Sequence, residues 1–285
     1  MKQVLAAVFL MVVAQGNAQL IHCIYDEPID GFYRFTKNYI STAKIKSITV
    51  KTSIKDEGVA IKDTYARRFW HFDKEGKLLV FRRRKGFSSD TLRIENTYNS
   101  TGELQREFKG DIYGQYENRY FYGQNRIEKE KYRRMSASGV IKREITFNYV
   151  QYADTLWETI AQTPEGKASY REIWRESAKG LPEYSARLSD HSQEEMRIYF
   201  EYNENHRLKK KRVEEKTVTG SHNIIITHYF YDADGRLGSE RKHKNGAFYK
   251  RVEYLYEGGL LKAKLEKNGA NGRIVIHEFA YTFFD

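Results

Sequence analysis

The chain has 285 residues, 40 % hydrophobic and 31 % charged, a balance that excludes a disordered polypeptide. Its 22 Tyr and 16 Phe against three Pro favour strands, because rings pack on a pleated surface and proline interrupts the ladder. A formal charge of +11 raises nucleic acid, anionic glycans and anionic membrane surfaces as partners, and the single cysteine, Cys23, excludes an intramolecular disulfide framework.

The N-terminus carries the most specific local signal. Lys2 supplies a positive start, Val4 to Val13 an apolar run, and Gly16 and Ala18 the small residues that precede a cut before Gln19. An apolar run of about ten residues is too short to span a bilayer as a helix. Residues 1–18 are therefore predicted to be a secretory signal cleaved near Ala18, which makes the mature chain periplasmic or extracellular. His22 stands before Cys23 where a lipoprotein needs a small residue, which argues against lipidation. No later segment is long and apolar enough for a transmembrane helix.

Residues 19–43 read as a cap. Ile29, Phe32, Phe35, Tyr39 and Ile40 follow a helical period, with Asp30 placed to cap the helix start. From residue 44 to 285 the text is strand, turn, strand. Tyr229-Phe230-Tyr231-Asp232-Ala233-Asp234-Gly235-Arg236-Leu237 ends one strand, turns at Asp/Gly and begins the return. Looser copies put a terminal aromatic at Phe72, Tyr98, Tyr122, Tyr149, Tyr202, Tyr231, Tyr256 and Tyr281, with a displaced copy at Trp174. The step is about 26 residues, giving about nine units. A second column two residues earlier, Trp70, Tyr120, Phe147, Phe200, Tyr229, Tyr254 and Phe279, shares a face with the first, since strand side chains alternate. The predicted fold is all-β: an extended, twisted antiparallel sheet of consecutive hairpin repeats, coiling toward a partial shell. The distal strand halves, with consecutive cations, are expected to be wetted on both sides.

The unit at 229–237 resembles the YD repeat of the RHS family, and looser versions of it lie at 69–78, 97–104 and 254–261. That resemblance implies hairpins spiralling into a sheet or shell in exported bacterial proteins, some of which touch carbohydrate. A more distant likeness to MORN-variant hairpin repeats rests on Lys244-Asn245-Gly246 and Glu257-Gly258-Gly259.

The sequence offers little for catalysis. Histidines 22, 71, 191, 206, 222, 228, 243 and 277 are scattered singly without metal-ligand spacing, so no metal or other cofactor is expected. Asp73 and Asp232 sit where hairpin turns require Asp for backbone reasons. No nucleophile-plus-base pattern or phosphate loop is present, and the chain is expected not to be an enzyme. A hydrolase site built from Asp190, His191 and Glu194 is the weakest alternative. The candidate ligand-binding residues are the basic runs Arg82, Arg83, Arg84 and Lys85, then Arg133 and Arg134, and Lys209, Lys210, Lys211 and Arg212. They suit an anionic polymer, although long cations also serve to solubilise sheet faces. Export disfavours nucleic acid. The expectation is a binding protein for cell-envelope or extracellular ligands, glycans foremost, whether anionic or neutral. The alternative is a scaffold joined to a partner protein through open sheet edges.

Overall fold

The computed structural model describes residues 35–87, 91–123, 127–188, 195–216 and 220–285. The predicted signal, Asp30, Cys23 and the Asp190, His191 and Glu194 group lie outside them. One short helix, α1 (Lys37–Thr42), precedes β1 (Ile45–Lys55), β2 (Lys62–Phe72), β3 (Leu78–Arg84), β4 (Thr91–Tyr98), β5 (Leu104–Asp111) and β6 (Gly114–Tyr122). The chain continues through β7 (Ile127–Met135), β8 (Ile141–Ala153), β9 (Leu156–Gln162), β10 (Ala168–Glu176), β11 (Pro182–Leu188) and β12 (Glu195–Tyr202). It ends with β13 (Leu208–Lys216), β14 (His222–Tyr231), β15 (Leu237–Lys244), β16 (Ala247–Glu257), β17 (Leu260–Asn268) and β18 (Ile274–Phe283).

Each strand hydrogen-bonds to the next in the chain, and β18 returns to β1. In that last pairing Ile48 lies opposite Tyr281, Val50 opposite Phe279 and Thr52 opposite His277, and the Ser47 and Thr282 hydroxyls meet at 2.7 Å. β1 is thus paired on both sides, by β18 and by β2. The fold is all-β, a closed 18-stranded antiparallel barrel. This corrects the expected open, twisted sheet of hairpin repeats, and with it the likeness to the YD and MORN-type arrays. The physical reason is the edge. An open sheet leaves two rows of unpaired N–H and C=O groups, and here the first and last strands satisfy each other. Assembly with a partner protein through open edges loses its basis for the same reason.

Seven of the hairpins share one turn chemistry. At Asp73, Asn99, Ser136, Thr163, Ser177, Asn203 and Asp232 the residue's carbonyl accepts from the N–H three positions on, and its own N–H donates four positions on. The fourth residue enters the left-handed region, as Gly76 (φ +80°), Gly102 (+82°) and Gly235 (+76°), with His206 (+58°) the exception to glycine. This is a type I turn closed by a glycine bulge. The side chain of the first residue accepts the closing N–H, Lys77 N on Asp73 Oδ1 (2.7 Å) and Arg236 N on Asp232 Oδ1 (2.8 Å). The bulge sets Phe72 opposite Leu78, Tyr98 opposite Leu104 and Tyr202 opposite Leu208. By the same register Glu176, opposite Pro182, takes the terminal position that an aromatic fills elsewhere, and Trp174 belongs to the second column.

The described strands fall into two compact units. One holds Phe230–Arg241 and Tyr249–Asp285 together with the described residues up to Gln115. Its buried face is built from Ile48, Val50, Trp70, Phe81, Ile94, Val252, Tyr254, Leu261 and Phe279. Tyr98, Tyr256 and Tyr281 each donate a hydroxyl to the carbonyl of Leu78, Leu237 and Leu261, so rings and turn leucines interlock from hairpin to hairpin. Phe35 meets Trp70 and Phe72 edge-on at 5.6 and 6.2 Å, and Ile40 of α1 is fully buried. Thr36 caps α1, its hydroxyl accepting the Tyr39 N–H. The other unit holds Tyr116–Tyr229 and Lys242–Phe248. Tyr120, Ile145, Trp157, Trp174, Ile198 and Phe200 are buried there, and Trp157 and Trp174 face each other across β9 and β10 at 5.8 Å.

Candidate functional site

Alternation along β1 to β4 divides their residues into a buried and an exposed face. On the exposed face Lys51, Arg67 and Arg84 lie opposite one another in one row across β1, β2 and β3. Phe69, Arg82 and Arg93 form the neighbouring row across β2, β3 and β4. Directly opposed side chains in an antiparallel pair stand about 5 Å apart, and like charges there are destabilising. Two acids moderate the field. Asp63 accepts both terminal nitrogens of Arg67, at 3.0 and 2.8 Å, and lies 3.7 Å from Lys51. Glu95 pairs with Arg93. The Arg67 guanidinium, aided by the Tyr65 N–H, holds the Asp63 carboxyl far below the usual carboxylate range.

The end of this cationic face carries an aromatic pair on a strained bulge. Between Lys51, opposite Arg67, and Ser53, opposite Asp63, β2 inserts Thr64, Tyr65 and Ala66 against Thr52 alone. Asp63 Oδ1 accepts the Tyr65 N–H (2.7 Å), and the Thr64 hydroxyl donates to the Thr52 carbonyl (2.6 Å). These bonds hold Tyr65 at φ +58°, a left-handed conformation that a bulky side chain rarely adopts. Such a residue costs about 1–3 kcal/mol and persists where its surroundings enforce it. The Tyr65 ring packs on Phe87 at 4.1 Å, and both rings face solvent, Phe87 at 85 % exposure. Arg84 donates to the Tyr65 carbonyl (3.4 Å), which ties the pair to the cationic rows.

The sequence-predicted residues divide accordingly. Arg82, Arg84 and Lys85 are exposed, Arg82 and Arg84 on this face, whereas Arg83 points to the other face, opposite Arg68. In the second unit Arg133 pairs with Glu144 (2.6 Å) and Glu117 (3.7 Å), and Arg134 lies over the Tyr116 ring. Lys210 pairs with Glu201 (2.7 Å), Arg212 with Glu214 (2.6 Å), and Lys209 is exposed. Lys211 is buried, opposite Thr227, so the basic segments are not wetted on both faces as expected. Strand alternation overrides the run of cations. Sequence reasoning missed Lys51, Arg67, Arg93, Tyr65 and Phe87. The signal for the cations was present, since the strands flanking Arg82–Lys85 carry Arg67 and Arg68 on β2 and Arg93 on β4.

A second charged cluster lies on the buried face of the same unit. His277 Nδ1 faces the Thr52 hydroxyl (3.1 Å) and Arg68 (3.2 Å), while Nε2 faces Glu266 (3.4 Å). Because Arg68 can only donate, Nδ1 accepts and the proton sits on Nε2. Lys250 and Lys264 also reach Glu266, each at 2.6 Å. Burial lowers the His277 pKa against the pull of Glu266, and His277, Lys264 and Lys250 together hold Glu266 well below the carboxylate range despite its desolvation. Tyr254 donates to Glu240 at 2.6 Å beside it. Every charge here meets a partner, the pattern of a polar network that fixes packing. Among the described residues no group of three or more His, Cys, Asp or Glu could hold a metal ion.

No protein-family model matches this sequence, and no curated protein matches it. Solved structures align with much of this chain at low identity. A porin-like protein from Bacteroides uniformis aligns over 84 % of this chain and 97 % of its own, at 10 % identity and a TM-score of 0.45. A porin-like protein from Bacteroides vulgatus aligns over 81 % and 98 %, at 9 % identity and a TM-score of 0.38. A LolA-superfamily protein from Nitrosomonas europaea aligns over 85 % and 87 %, at 8 % identity and a TM-score of 0.20.

Proposed function

We propose that this chain is an exported, non-catalytic β-barrel that binds acidic polysaccharide of the cell envelope or its surroundings on the exposed face of β1 to β4. One observation carries the reading. Arg84 faces Arg67, which also faces Lys51, and Arg82 faces Arg93, so like charges oppose each other across consecutive strand pairs. Such opposition lowers stability, and an anionic chain laid across the rows would relieve it. The Tyr65–Phe87 pair at the end of the rows supplies flat apolar surface for a sugar ring, next to donors for carboxylate or sulfate. Export rests on the signal-like stretch at residues 1–18.

The test is calorimetric titration of the full mature chain with polygalacturonate, with neutral dextran as control. Binding to the polyanion that weakens with added salt, and falls in Arg82→Thr/Arg84→Thr and in Phe87→Ala, supports the proposal. Equal binding of dextran, or unchanged affinity in both variants, would remove it.

A further inference from the structure

The two ends of the unit that contains β1 to β5 differ in chemistry. At one end the turns Asp73–Lys77, Asn99–Glu103 and Asp232–Arg236 are polar apart from glycine and Ala233. Antiparallel alternation puts the loops β1–β2, β3–β4 and β5–β6 at the other end, and there the described tip residues include exposed apolar side chains. Gly58 is followed by Val59, Ala60 and Ile61, Gly86 by Phe87, and the two residues between β5 and β6 are Ile112 and Tyr113. Ile61 is 58 % exposed, Ile112 61 % and Tyr113 75 %. Two-residue hairpin loops ordinarily take Asn, Asp or Gly for backbone reasons. Here Asp111 supplies the turn chemistry from the preceding position, accepting the Tyr113 and Gly114 N–H groups at 2.8 and 3.1 Å. Ile112 and Tyr113 are thus unused by the fold. Successive tips are two strands apart, about 10 Å, so the three span about 20 Å.

Cations flank these tips: Lys55 and Lys62 at the first, Arg84 and Lys85 at the second. Among the described residues the nearby acids are mostly engaged, Asp56 with Arg273 (2.6 and 3.2 Å), Asp63 with Arg67 and Asp111 with its own turn, with Glu57 exposed. Exposed aliphatic and aromatic tips ringed by lysine match the boundary between acyl chains and anionic headgroups. We infer that this end of the unit docks on an anionic phospholipid leaflet, with Val59, Ile61, Phe87, Ile112 and Tyr113 entering the interface and Lys62 and Lys85 meeting phosphate. The inference shares Phe87 with the polysaccharide reading, which otherwise uses the strand face, whereas Ile61 and Ile112 belong to the tips alone.

Vesicle flotation of the full mature chain tests it, using phosphatidylglycerol–phosphatidylethanolamine vesicles against phosphatidylcholine alone. The protein should float with the anionic vesicles and stay at the bottom with the neutral ones. Ile61→Ser/Ile112→Asn, at exposed positions that leave the core intact, should lower the partition coefficient roughly 100-fold, about tenfold per isoleucine withdrawn from the interface. Arg82→Thr, further from the tips, should float as the parent does, which separates this reading from the polysaccharide one. Absence of flotation, equal partition of the double variant, or a solution dimer that the double variant dissolves would each overturn the inference, the last by assigning the tips to a second copy of the chain.

Discussion

Replacing Arg82 and Arg84 by threonine should make the protein more stable and a poorer binder at once. The substitution removes the Arg67–Arg84 and Arg82–Arg93 oppositions and leaves Asp63 on Arg67 and Glu95 on Arg93. Each like pair costs a few tenths of a kcal/mol at an exposed site, so the double change should stabilise by about 0.5–1 kcal/mol at low salt. Threonine, β-branched, also suits a strand. For a chain of this size that is a rise of roughly 1–4 °C in Tm. The gain should fade near 1 M salt, where the screening length is about 3 Å. Urea denaturation at two ionic strengths measures the stability, and polygalacturonate titration on the same samples measures the affinity. A variant destabilised by more than about 1 kcal/mol would show that the arginines hold the sheet together, and the argument from like-charge opposition would fail.

Other outcomes follow from the same geometry. Gly76→Ala should destabilise more than Gly102→Ala, although both sit at φ near +80°, because the added Cβ at Gly76 would stand 2.3 Å from the Lys37 carbonyl beneath α1, whereas at Gly102 it meets only the Lys77 side chain. Both should lose about 1–2 kcal/mol to the left-handed backbone, and the excess at Gly76, read by urea denaturation, reports displacement of the helix. Tyr65→Gly should relieve the strained bulge and raise Tm while weakening binding of the polyanion; a lower Tm would mean that the ring is structural. His277 has a folded pKa below its ordinary value, so its contribution is complete above about pH 6.5 and is lost as the pH falls below that, whereas the depressed Glu266 acts from about pH 4.5 downward. His277→Gln should therefore flatten the stability profile just below about pH 6.5 and leave the steeper acid limb in place. Glu176 behaves oppositely, since burial raises its pKa to about 7. Glu176→Gln should abolish the part of the stability that the parent loses as the pH rises from about 4.5 through 7, and an unchanged profile would contradict the burial argument.

Local features were legible in the sequence to the extent that backbone chemistry dictates them. The turn at Asp232–Arg236 has the hydrogen bonds that its Asp and Gly require, and Trp70, Tyr120, Phe200, Tyr254 and Phe279 of the second aromatic column are buried. Ser136 and Thr163 begin the same turn with a hydroxyl in place of a carboxylate, and an Asp/Gly motif passes over them. The binding face was harder to see. A run such as Arg82-Arg83-Arg84 looks like one patch on paper, but alternation sends Arg83 to the opposite face and recruits Arg67 and Arg93 from neighbouring strands. Cross-strand register, which no single segment encodes, decides which cations meet.

Closure was illegible for a related reason, yet its signal was in the text. An exposed terminal strand is normally blunted by charge, proline or a bulge, because unpaired backbone invites other chains. The last strand instead reads Ile274-Val275-Ile276-His277, and the first offers Ile45, Ile48, Val50 and Ile54. Two strands with such apolar positions at opposite ends of one antiparallel array can each pair with the other, and the Thr52–His277 contact shows them pairing through the polar network as well as the ladder. That placement ties the barrel's seam to a buried ion cluster, since Arg68 of β2, His277 of β18 and Glu266 of β17 meet beside Thr52. Withdrawing His277 would remove one acceptor of Arg68 at the seam itself together with the contacts to Thr52 and Glu266, and losing a partner from a buried polar group costs more than the bond contributed. Opening at β1–β18 should accordingly precede global unfolding in His277→Leu, visible as early amide exchange in β1 and β18 while β11 to β13 stay protected. Uniform exchange across all strands would mean that the seam is no weaker than the rest of the sheet.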